Sequence, residues 1–137
     1  MNQIKSEGRI QAECFLWYRK NINELSGRLV KFLLYKIHNE GKKTRMQASI
    51  DKAMGIVAGY PDMCLCVPSG SYAALYIEFK KNEHEEPGDK QLFIHSELRS
   101  VGNKVVVVWT FDQFLKEICE YLGIDYERYK IHLGLFK

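Results

Sequence analysis

Two short apolar runs, DMCLCV at 62–67 and YAALYIEFK at 72–80, stand on either side of Pro68, Ser69 and Gly70. Runs of this length around turn residues predict two strands joined as a hairpin. Side chains alternate between the faces of a strand. In the second run Leu75, Ile77 and Phe79 therefore share one face, and Tyr76, Glu78 and Lys80 share the other. The first set suits a core. The second places a carboxylate beside an ammonium group. Asp62 opens the preceding strand, so hairpin pairing in a suitable register brings its carboxylate toward Glu78.

The remaining chain predicts helices around these strands. Ser6 to about Leu25 reads as a helix, with Ile10, Cys14, Trp17 and Tyr18 at helical spacing and Glu13 beside that stripe. LVKFLLYKI at 29–37 reads as a strand, and HNEGKK then turns. Thr44 is placed to cap a short helix running to Met54, with Met46, Ile50 and Ala53 on one side and Gly55 at its end. After the polar loop KNEHEEPGD, a helix is expected from about Asp89 to Val101, closed by Gly102 and Asn103. KVVVVW at 104–109 has the continuous apolar character of a buried strand. A last helix spans Phe111 to Leu122, with Asp112 near its start, and the tail GIDYERYKIHLGLFK takes no assignment. The order α-β-α-β-β-α-β-α predicts an α/β fold, a mixed sheet with helices on its faces.

A length of 137 residues and a hydrophobic share of 46% suit one domain, residues 1–137, with its core at about 10–122. No run approaches the roughly 20 apolar residues that span a bilayer, and MNQIKSEGRI has no apolar signal core. No membrane association and a cytoplasmic setting are expected. The net charge of +3 is compatible with a phosphate-rich partner without requiring one. Cys14, Cys64, Cys66 and Cys119 form no CxxC pair, so buried free thiols are expected rather than a zinc site.

An isolated Glu-x-Lys is ordinarily a solvated pair. Order, spacing and strand context give Asp62, Glu78 and Lys80 a further meaning. Hydrolysis of a phosphodiester needs compensation for an anionic transition state and a nucleophilic water near neutral pH. Two hard carboxylates suit Mg²⁺ or Mn²⁺, which lower the pKa of bound water. A neighbouring lysine can orient that water and offset developing charge.

GYPD at 59–62, followed after 15 residues by EFK at 78–80, resembles the PD-(D/E)XK nuclease superfamily. HNEGKK, GIVAGYPDMCL, YIEFKK, Gln91 opening a helix and GNKVVVVWTFDQFLKEICEYL together resemble the VRR-NUC (virus-type replication-repair nuclease) family, over about 10–122. The resemblance implies a restriction-endonuclease-like αβββαβ core with an extra helix between the first and second strands. It implies that Asp62 and Glu78 bind metal, with the backbone carbonyl of Phe79 as a further ligand. Lys80 matches the catalytic lysine, and Gln91 the glutamine that orients it or the substrate. Glu13 matches an acid of the first helix that reaches the metal directly or through water. Asn39 matches an asparagine of the turn after the first strand. His38, Glu40 and Tyr60 depart from the family's usual residues around the substrate-facing loop.

The function implied is a Mg²⁺- or Mn²⁺-dependent DNA endonuclease using a metal-activated water. Short stand-alone members resemble dimeric junction-cleaving enzymes, so a homodimer acting on branched DNA such as a four-way junction is expected, in the cytoplasm of a bacterial or virus-infected cell. A flap-directed or restriction-like nuclease, or a non-catalytic DNA-binding module on the same scaffold, are the alternatives. Lys42, Lys43 and Arg45 form a basic run that reads either as solvated surface or, with Asn39, as a DNA contact. Tyr126 and Tyr129, with Arg128 and Lys130, read as packing or as a stacking surface for nucleic acid. His84 among Glu83, Glu85 and Glu86 reads as a solvated acidic loop, and His95 as a packed residue.

Overall fold

The structure, a computed structural model, describes residues 7–38 and 44–132, the last two by their backbone alone. Ser6 and residues 39–43, where a turn is expected, with Asn39, Glu40, Lys42 and Lys43, lie outside the described residues.

Helix α1 (Glu7–Ser26) buries Ile10, Cys14, Tyr18 and Ile22, one residue per turn along a single stripe. The strand expected from Leu29 begins only at Leu34, as β1 (Leu34–Lys36). The cause is Asn23, whose Oδ1 accepts from the N–H groups of Val30 at 2.8 Å and Lys31 at 3.0 Å. The Leu33 N–H then donates to the Val30 carbonyl, so this stretch turns instead of extending. Helix α2 (Arg45–Ala53) starts on Thr44, whose hydroxyl accepts from the Gln47 N–H. Its Met46 and Ile50 are exposed, and the residue that α2 buries is Asp51.

Strands β2 (Met63–Leu65) and β3 (Leu75–Phe79) form the expected hairpin, antiparallel, with Met63 opposite Ile77. Helix α3 (Asp89–Ser100) leads to β4 (Lys104–Val108), parallel to β3. Helix α4 (Phe111–Leu122) begins with a reciprocal cap in which Thr110 and Gln113 bond each other's backbone N–H. Thr110 caps this helix, and Asp112 lies in its first turn, as expected. The tail continues as α5 (Tyr126–His132). The mixed four-stranded sheet has the order β1-β2-β3-β4.

One face of the sheet carries Leu34, Met63, Leu65, Leu75, Ile77, Phe79 and Val108, packed with Cys14, Tyr18 and Ile22 of α1 and Phe114 and Ile118 of α4. Phe114 stacks on Phe79 with ring centroids 6.0 Å apart. Burying such a side chain is worth about 1.5–3 kcal/mol, which anchors the last residue of β3. Tyr126 and Tyr129 are buried against Leu115 and Cys119 of α4, and the Trp17 indole donates to the Tyr129 hydroxyl at 3.0 Å. They pack; they do not present rings to a nucleic acid. Cys14, Cys64 and Cys119 are buried free thiols, but Cys66 is exposed, with its Sγ on the Leu33 carbonyl. Pairing between β1 and β2 ends at Leu34 and Leu65, so Cys66 lies beyond the covered strand. Among the described residues no helix is long and apolar enough to cross a membrane.

Candidate active site

The opposite face of β3 meets α3, and there the charged residues converge. The Asp62 N–H donates to the Ile77 carbonyl at 3.0 Å, extending the hairpin by one step beyond Met63. That step sets Asp62 against Glu78. The Asp62 Oδ2 accepts from the Phe79 N–H at 2.7 Å, which fixes the carboxylate at the end of β2. In a strand a residue's N–H and C=O point the same way. The Phe79 carbonyl therefore faces the Asp62 side as well.

Relative exposure is 6% for Asp62, 2% for Glu78 and 7% for Lys80. A solvated strand-surface pair is thereby ruled out. Burial, the Asp62 charge and a hydrogen bond to Asp62 push the Glu78 carboxyl from an ordinary 4.5 up to about 9, with Lys80 opposing the rise. Two crowded carboxylates in a dry pocket do not both stay charged without a cation. His95 of α3, 1% exposed, places Nε2 3.3 Å from Glu78 Oε1. Burial, with the charges of Arg99 and Lys80, lowers its pKa, so the ring is neutral and bridges by hydrogen bonding.

The Lys80 ammonium donates to Gln91 Oε1 at 2.9 Å and lies 4.0 Å from Glu85. The same Gln91 oxygen accepts from the Gly88 N–H at 2.9 Å, tying Lys80 to the first turn of α3. Glu7, Tyr60, Asp62, Glu78, Lys90 and Gln91 line a cavity of about 320 Å³. Burial and the nearby charges of Asp62 and Glu85 raise the Glu7 pKa.

Asp62, Glu78, Lys80 and Gln91 are thus brought together. Glu13 is not among the residues lining the pocket; it lies 4.0 Å from Arg9. The acid that α1 contributes is Glu7. Helical spacing carries the signal, since Glu7 precedes Ile10 by three residues and Cys14 by seven, on the stripe that meets the sheet, whereas Glu13 lies off it. His95 follows Gln91 by four residues and so shares its helix face. Arg45 is exposed at the start of α2. His84 and Glu83 are exposed in the loop before α3.

Among the described residues no group of three or more His, Cys, Asp or Glu forms a cage for a metal. The donors on hand are two carboxylates and a backbone carbonyl. That set fits Mg²⁺ or Mn²⁺, which bind through one or two carboxylates and keep several waters, and does not fit zinc. A divalent cation would also relieve the repulsion that holds a proton on Glu78.

A sheet with two antiparallel pairs and one parallel pair, flanked by helices and carrying this cluster at the end of its central hairpin, defines a restriction-endonuclease-like α/β fold. A solved structure described as a VRR_NUC domain protein superposes with a TM-score of 0.74 at 24% identity, covering 90% of this chain and 93% of the other. A second, described as a VRR_NUC domain, is 30% identical over 84% of this chain and 96% of its own, with a TM-score of 0.50. No family model and no curated protein matches the sequence. The first structure establishes the fold; with the second, the chain belongs to the VRR-NUC family of nuclease domains.

Proposed function

We propose that this protein is a divalent-metal-dependent DNA endonuclease that hydrolyses phosphodiester bonds at the pocket between β3 and α3. The observation that carries the reading is the burial of Asp62, Glu78 and Lys80, with Asp62, Glu78 and Gln91 lining one cavity and Gln91 holding the lysine. Asp62 and Glu78, with the Phe79 carbonyl, would hold Mg²⁺ or Mn²⁺. The ion supplies Lewis acidity toward the phosphate and makes water more acidic.

The chain's own groups do the rest. The Phe79 N–H fixes the Asp62 carboxylate, and His95 fixes that of Glu78. Gln91, which lines the pocket, and Glu85 hold the Lys80 ammonium, which orients the attacking water and offsets charge developing on the phosphate. The burial of Glu78 and His95 excludes bulk water from that side, which strengthens each electrostatic contact.

The substrate proposed is branched DNA such as a four-way junction, cut by a homodimer, because one chain carries one such site and concerted cutting of two strands needs two. An apolar surface supports association. Phe32 and Leu16 are each 70% exposed, and Arg19 stacks between Phe15 and Phe32, near the open edge of β1.

Labelled junction, flap and linear duplex DNA incubated with Mg²⁺ or Mn²⁺ test the reading, with an EDTA arm and Asp62→Ala as controls. Junction cutting that needs the metal and Asp62 is expected. Equal cutting by Asp62→Ala, or none on any DNA, overturns it. Sedimentation as a monomer at working concentration overturns the homodimer.

A further inference from the structure

The catalytic pocket is poor at attracting a polyanion by itself. Glu7, Asp62 and Glu78 line it, and the nearby Lys80 ammonium is already held by Gln91 and Glu85, which leaves Lys90 as the cation of its lining. The phosphates flanking the cleaved bond need cations elsewhere. A second cavity, of about 450 Å³, adjoins the first; the two share Ala58 and Lys90. Its wall is Ser49 and Lys52 of α2 with Ile56, Val57 and Ala58 of the following loop. Neither Lys52 nor Lys90 makes an ion pair among the described residues, so both ammonium groups remain available.

The wall is built to hold its shape. The N–H groups of Gly55 and Ile56 donate to the carbonyls of Lys52 and Asp51, folding the loop back on α2. Gly59, at φ +93°, lies so close to α3 that a Cβ there would sit 2.5 Å from the Lys90 carbonyl oxygen. This contact seats Lys90 at the junction of the two cavities. The lining is aliphatic at Ile56, Val57 and Ala58, and cationic and hydroxylic at Lys52, Lys90 and Ser49. A sugar–phosphate unit presents the same mixture of apolar and anionic surface. The volume also falls within the roughly 300–1,000 Å³ of small-ligand sites.

We propose that the cleft between α2 and the start of α3 receives the nucleotide next to the cleaved bond, with Lys52 and Lys90 on its phosphate. The proposal rests on the nuclease reading for the meaning of "next to". Contacts to phosphate position the strand without reading its sequence.

Binding of a short labelled DNA duplex in EDTA, followed by anisotropy across a salt series, tests it for wild type, Lys52→Ala, Lys90→Ala and Lys116→Ala. Lys116 is exposed on α4, away from the cleft, and controls for net charge. The expected result is weaker binding for each cleft variant, with a log–log salt slope smaller by about 0.9 per lysine, and no such change for Lys116→Ala. Thermal midpoints within a few degrees of wild type exclude unfolding as the cause. Cleft variants that bind with the wild-type slope, or a loss equalled by Lys116→Ala, overturn the proposal. Cleavage by wild type in Mn²⁺ is scored separately. Cutting with unchanged slopes defeats the cleft and spares the nuclease; reduced slopes without any cutting defeat the nuclease and leave a nucleotide-binding cleft. In a cleaved substrate, a neutral methylphosphonate beside the scissile bond should remove the sensitivity to Lys52→Ala; a position-independent effect counts against the assignment.

Discussion

Two buried polar regions lie on opposite faces of the same sheet. On the α1–α4 side three hydroxyl or indole groups are neutral and paired. The Tyr18 hydroxyl donates to the Val30 carbonyl at 2.7 Å, Tyr121 donates to Val67, and Trp17 donates to Tyr129. On the α3 side two carboxylates, an ammonium and an imidazole are buried together, the carboxylates lining a cavity. Satisfied neutral groups contribute modestly to stability and cost little to bury. Crowded charges are expensive to bury. An arrangement that opposes folding on one face, while the other face follows the ordinary rules, points to a site kept for chemistry.

The contrast is broken most directly at Lys80. Lys80→Ala should lower DNA cleavage by about 10²–10³-fold while leaving the far-UV circular dichroism and thermal midpoint near wild type. A Tyr18→Phe variant should do the reverse, retaining cleavage. Comparable activity losses in both would erase the distinction. At the next scale, His95→Ala frees the Glu78 carboxylate to turn. Mn²⁺ affinity, read by calorimetry, should fall about 10–100-fold, the usual effect of losing a ligand's outer partner. An unchanged affinity would make His95 a packing residue only.

Stability should separate the regions too. Gly59→Ala forces a side chain into a left-handed backbone and against the Lys90 carbonyl, and should cost about 2 kcal/mol or more in urea denaturation. Tyr18→Phe leaves a buried carbonyl without its donor, for a smaller loss of about 1–2 kcal/mol. A further effect is a slope against pH. Glu78 holds its proton in the folded, metal-free chain up to about 9, whereas the unfolded chain releases it near 4.5. The folded state thus carries more protons between those values, and its stability falls as pH rises across that window. Mn²⁺ bound at Asp62 and Glu78 would take the proton's place, so on the proposed function the rise in thermal midpoint on adding Mn²⁺ should grow from pH 6 to pH 8. A shift that is flat or shrinks with pH would place the metal elsewhere.

Much of this was legible in the residues alone. Alternation in 72–80 assigned Leu75, Ile77 and Phe79 to a core and Glu78 and Lys80 to the other face, because a pleated strand has a strict period of two. The Pro68–Gly70 turn and the order of elements were equally local signals. What local signals could not supply was which groups meet across the fold. The side chain of Asn23 cut short the strand expected at Leu29, a contact made seven and eight residues away. The 30% identity to a VRR_NUC domain spoke for the family but not for which acid of α1 faces Asp62 and Glu78. Glu7 rather than Glu13 holds that place because Glu7 lies on the stripe by which α1 docks on the sheet, and the docking decides which end of that stripe reaches the pair. The pairing of His95 with Glu78, and the seating of Lys90 by the close approach of Gly59, were likewise decided in three dimensions. Periodicity fixes the face on which a side chain lies; only packing decides what stands opposite it.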